Sequence, residues 1–159
     1  MTEPRWLNAD ERRAWLALLS INTLLPAALD TQLQAAGKLS LFDYNVLAML
    51  SEAEGRFLPM SELAARTSAS LSRLSHVVTK LQRRGWVERE AHPGDDRVTV
   101  AHLTEAGMDT IVSLAPGHVD AVRALMLDAM TDDDVADLAR IGEKIVARLD
   151  DDHWILRER

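Results

Sequence analysis

Apolar residues recur at helical spacing along most of this chain, and the pattern turns to alternation in one place only. Asn8, with Glu11 three positions on, forms a capping pattern. Trp15, Leu18, Leu19, Asn22, Leu25 and Leu29 then share a helical face that runs to about Leu33. Pro26 within that face predicts a kink, and Gly37 the end of the helix. Ser40 caps a second helix, apolar at Leu41, Tyr44, Leu47, Ala48 and Leu50 and reaching toward Gly55. A helix of barely two turns, 61–66, lies between Pro59 and a Thr67-Ser68 turn.

The helix 70–84 that follows has Leu71, Leu74, Val78 and Leu81 on one face and Ser72, Arg73, His76, Lys80 and Arg83 on the other. Gly85 stands where a left-handed stop is expected. The period then becomes two: 86–90 and 98–103 read as strands around His92-Pro93-Gly94-Asp95-Asp96, a β-hairpin with an exposed tip. Thr104 caps a helix expected to reach about Met130 with an interruption near Pro116-Gly117. Thr131 opens a last helix with Val135, Leu138, Ile141, Ile145 and Leu149 on one stripe, acids in its first turn and Lys144 and Arg148 toward its end. After Asp150, an acidic run argues for fraying and Trp154-Ile155-Leu156 for docking.

The expected fold is therefore mainly α with a small β-hairpin wing: a winged helix-turn-helix over 37–104, flanked by a helical dimerisation region formed by 1–36 and 105–159. The flanking helices hold more Leu, Ile, Val, Trp and Met than so small a core can bury, which points to a second copy.

Composition narrows the function. The 159 residues include no cysteine, so disulfides and thiolate-bound zinc are excluded. No apolar run is uninterrupted for the roughly 18 residues a bilayer demands, and the charged N-terminus does not read as a signal peptide. A cytoplasmic protein with no membrane partner is expected. The net charge is −7, yet residues 66–103 hold seven Lys/Arg against four acids, so this stretch is +3 and the remainder −10. A locally basic segment in an acidic body can engage phosphates while the rest stays solvated.

The order short helix, tight turn, polar-faced helix, glycine, hairpin has a physical logic. A helix fits the major groove and sets its exposed donors on base edges, while an arginine at a hairpin tip can reach a minor groove. Ser70, Ser72, Arg73 and His76 are the candidates for base edges; Lys80, Arg83 and Arg84 are the candidates for phosphates. Asp95 and Arg97 form the candidate wing pair, the carboxylate orienting the guanidinium. The five histidines show no i, i+4 pair, and no serine lies in a nucleophile-elbow motif, so neither a metal site, nor a cofactor, nor an enzyme is expected.

Leu39-Ser40-Leu41-Phe42-Asp43-Tyr44, Ser61-Glu62-Leu63-Ala64, Leu81-Gln82-Arg83-Arg84-Gly85-Trp86-Val87, Asp95-Asp96-Arg97 and Leu103-Thr104-Glu105-Ala106-Gly107 together resemble the MarR (multiple-antibiotic-resistance regulator) family of winged-helix regulators. The resemblance implies a homodimer paired through its first and last helices, binding double-stranded DNA at a pseudo-palindromic operator. It further implies a repressor released by a small anionic aromatic effector. Members usually read Asp-Arg-Arg at the wing tip; here Asp96 stands in place of the middle arginine. Trp15, Asn22, Phe42 and Tyr44 are candidate effector contacts, with core packing or the dimer interface as the other reading. The rival function is a winged-helix dimerisation module that binds no DNA. Neither a following cofactor domain nor a shortage of exposed donors supports it.

Overall fold

In the computed structural model residues 3–157 are described; the outermost positions of the expected helical region, 1–2 and 158–159, lie outside them. The first helix, α1 (Ala9–Gly37), starts at the full capping box of Asn8 and Glu11. α2 (Leu41–Glu52) starts at a second one, Ser40 with Asp43. A single 3₁₀ turn leads into β1 (Phe57–Pro59), then α3 (Met60–Arg66) and α4 (Leu71–Arg83). β2 (Val87–His92) and β3 (Asp95–Leu103) form the hairpin, followed by α5 (Glu105–Leu125) and α6 (Asp132–Leu149).

β1 was not expected from the pattern. It pairs antiparallel with β3, making a three-stranded sheet of order β1-β3-β2, with Phe57 opposite His102 and Glu88 opposite the same histidine from the other side. Leu58, Val87, Ala101 and Leu103 turn inward and join Leu47, Leu50, Leu63, Leu74 and Leu81 in one core. Gly107 is required where α5 meets this sheet. A Cβ there would stand 2.2 Å from the Trp86 carbonyl oxygen, which the tight path Gly85–Trp86–Thr104 cannot yield.

Two expectations need correction. Pro116 does not interrupt α5, and α1 likewise runs on through Pro26. Each proline leaves the carbonyl four residues back without a donor, at Asn22 and Val112. Both residues are exposed, so water can take those acceptors. α1 ends at Gly37 as expected, and the left-handed residue that stops it is Lys38 at φ 52°. The guanidinium of Arg84 explains this position, donating to the carbonyls of Gly37 (3.3 Å) and Lys38 (3.0 Å). Lastly, Leu71 is 56% exposed, and Val77 takes its place on the buried face of α4.

α1 meets the length and composition of a bilayer-spanning helix, although Ser20, Asn22, Thr23 and Pro26 interrupt its apolar run. Its exposed Leu16, Leu18, Ile21 and Leu24 have a counterpart in the exposed stripe Val135, Leu138, Ile141 and Ile145 on α6. Beyond α6 the tail docks. Trp154 lies under the Arg66 guanidinium, 5.8 Å from it, and His153 Nε2 is 3.5 Å from Ser68 Oγ.

Candidate nucleic-acid interface

α3 and α4 are joined through Thr67–Ala69, with Ser68 left-handed at φ 51°. The turn is closed by Ala69 N–H donating to Ala64 O and by Thr67 Oγ1 donating to Leu63 O. Ser70 caps α4, its hydroxyl accepting from Arg73 N–H at 3.2 Å. Ser70 therefore orders the helix start and has one fewer lone pair for a base edge. Ser72, His76 and Arg83 stand exposed on α4.

The other candidates of this helix already hold partners. Arg73 sits over the Phe42 ring, its guanidinium carbon 4.1 Å from the ring centre, a cation–π contact that holds the side chain there. Lys80, expected at phosphates, turns toward α2, with Nζ 2.6 Å from the Asp43 carboxylate. Asp43 is only 2% exposed and also caps α2, so the half-exposed Lys80 ties α4 to a buried carboxylate. Arg84, the third phosphate candidate, is held by the end of α1 and stacks 3.7 Å over Trp86. Arg83 has neither kind of tie among the described residues.

The wing carries the expected pair as a two-point contact. Arg97 Nε donates to Asp95 Oδ1 at 2.9 Å and Nη2 to Oδ2 at 3.0 Å, while the Arg97 backbone N–H also donates to Oδ1. These bonds hold the Asp95 carboxyl below the usual range and raise the Arg97 guanidinium. Arg97 remains 89% exposed, an oriented cation in solvent.

The pattern gave no sign of Arg89. From β2 its guanidinium donates to the Ser75 carbonyl (2.8 Å), Ser75 Oγ (3.0 Å) and Thr79 Oγ1 (3.1 Å), and it also donates to Gln82. One side chain thus fixes the wing against α4.

The four effector candidates do not form one cluster within a single chain. Trp15 and Asn22 stand on the exposed half of α1. Tyr44 stacks on His118, ring centres 4.2 Å apart, and His118 Nδ1 is 3.4 Å from Gln32 Oε1. Burial raises the Tyr44 hydroxyl pKa, with Glu52 adding to it, and lowers that of His118. Phe42 lines a cleft of about 460 Å³ between α1, α2 and α4, together with Pro26, Asp30, Asn45 and Arg73.

The family model described as "MarR family" matches residues 39–98. Sco3205, a MarR family transcriptional regulator from Streptomyces coelicolor solved in complex with DNA, is 39% identical, with 94% of each chain covered and a TM-score of 0.89. The chain belongs to the MarR family. AbsC, another MarR family regulator from Streptomyces coelicolor, is also 39% identical, over 92% of this chain and 98% of its own, with a TM-score of 0.87. The transcriptional repressor MprA of Escherichia coli K12 is 26% identical over 107 residues, 67% of this chain. That match spans 60% of MprA's length. Within this MarR-family frame α3–α4 is the helix-turn-helix and β2–β3 the wing, as the pattern of the chain implies.

Proposed function

We propose that this chain is a dimeric, sequence-specific DNA-binding regulator that acts as a repressor and is released by a small aromatic anion. The observation that carries the reading is the braced pair of α4 and wing, which presents Ser72, His76 and Arg83 on the helix and the oriented Arg97 at the tip. Sco3205, 39% identical to this chain, was solved in complex with DNA. In this reading Ser70, Ser72, Arg73 and His76 face base edges, and Arg83 and Arg97 supply the positive field, with Asp95 as orienter. Lys80 and Arg84 contribute to the interface chiefly by holding α4 in place.

The same reading divides the chain into a DNA-binding unit, 37–104, and a dimerisation region, 1–36 with 105–159. Covering the exposed stripes of α1 and α6 in a second copy supplies the apolar contact that one chain lacks. A two-fold pair sets two α4 helices one DNA turn apart, roughly 34–36 Å. The effector occupies the cleft beside Phe42 and Arg73, where a carboxylate would compete with DNA for the guanidinium. No catalytic step belongs to this reading, and its place of action is the cytoplasm.

Selection from random double-stranded DNA by the purified full chain tests it. Enrichment of a pseudo-palindrome with half-site centres about 10 bp apart is expected. Failure to enrich any sequence would favour the dimerisation module without DNA.

A further inference from the structure

We propose that Glu88, Glu90 and His102, on the outer face of the wing sheet, form a binding site for a divalent cation of the zinc class. The strand register creates it. Glu88 is directly opposite His102, and the two-residue period puts Glu90 on the same face one step along β2. One ligand atom from each of the three lies within 4.8 Å of the others.

The Glu90–His102 spacing is that of two neighbouring ligands in a coordination shell. His102 Nδ1 is 3.5 Å from Glu90 Oε1, long for a hydrogen bond. Bonds of about 2.0–2.1 Å to a tetrahedral ion set neighbouring ligand atoms roughly 3.4 Å apart. His102 Nδ1 is also cut off from solvent and has no hydrogen-bond partner among the described residues. A buried ring nitrogen in that state is costly, and a metal bond satisfies it. Moreover, neither Glu88 nor Glu90 has a Lys or Arg ion-pair partner among the described residues, so two like charges share one strand face without compensation.

The donor set selects the ion. One imidazole with two carboxylates suits zinc and its neighbours, whereas calcium and magnesium prefer oxygen alone. A bound ion would staple β2 to β3 beside Arg89 and offset two negative charges on the element that carries Arg97. The binding is independent of the proposed function; the gain in DNA affinity that follows from it rests on that function.

Calorimetric titration of zinc chloride into the metal-stripped full chain decides the matter without DNA. One equivalent per chain is expected, with a rise in melting temperature. His102→Gln and Glu90→Gln should each weaken binding more than about tenfold, with an unchanged circular-dichroism spectrum. His92→Gln, on the same sheet, should leave it intact. Should His102→Gln fail to fold, the exposed double change Glu88→Gln/Glu90→Gln takes its place with the same expected loss. Absence of binding up to millimolar zinc, or undiminished binding in the variants, overturns the proposal. Zinc binding without any gain in DNA affinity would count against the consequence for DNA and leave the site standing.

Discussion

Arg89 on the wing donates to the backbone carbonyl of Ser75 on α4 at 2.8 Å. The same guanidinium also reaches Ser75 Oγ, Thr79 and Gln82, so α4 and the wing share one positioning residue. Arg89→Ala should lower the melting temperature by only a few degrees, since water can replace a half-buried bond of about 1 kcal/mol. Operator affinity should fall further, about tenfold, because helix and wing no longer hold one relative position. Arg89→Lys should recover little, lacking the planar fork. Melting curves beside fluorescence-anisotropy titrations check both effects.

At the wing tip, Arg97 is oriented by Asp95 and flanked by Asp96. Arg97→Ala should weaken operator binding and lower the salt slope by about 2 per dimer, one for each lost cation. Asp96→Arg should do the reverse, and Asp95→Ala should act as a milder Arg97→Ala. Titrations at several salt concentrations measure the slopes. Unchanged affinity with a lower melting temperature would make the pair a turn brace only.

Asp43 and Lys80 set a third test. Asp43→Ala removes a helix cap and leaves the Lys80 ammonium without its carboxylate. With Lys80 partly exposed, the loss is about 2–3 kcal/mol rather than the full cost of breaking a buried pair. Asp43→Asn, which can still cap, should fall between. Urea unfolding gives the order directly.

His118 makes stability depend on pH. Burial holds its folded pKa below the ordinary value near 6.5, so the unfolded chain takes up the proton first. The contribution is intact above about pH 6.5 and is lost as pH falls below it. His118→Phe keeps a ring against Tyr44 and cannot titrate, so its melting temperature should fall less between pH 7.5 and 5.

The sequence pattern made the helices, their caps at Asn8, Ser40, Thr104 and Thr131, and the Asp95–Arg97 pair legible, because all of these are local. What the pattern did not show is the distant partners of exposed cations. Lys80 meets an acid 37 positions away, and Arg84 meets carbonyls 46 and 47 positions away. Periodicity places such cations on the surface and is silent about what they hold. β1 escaped because three residues ending in proline show no alternation; only pairing with β3 makes them a strand. Arg89 reads as one charge among several on a strand, and its role depends on which face of α4 the sheet meets.

The proposed function requires that this MarR-family chain read DNA sequence as a dimer. The most direct measurement is a titration of the full chain onto its selected duplex and onto a scrambled duplex, at several salt concentrations. Two chains per selected duplex, affinity at least about 10³-fold above the scrambled one, and a steep loss of binding with salt are expected. Equal affinity for the two duplexes, or no binding to either at low salt, would contradict it.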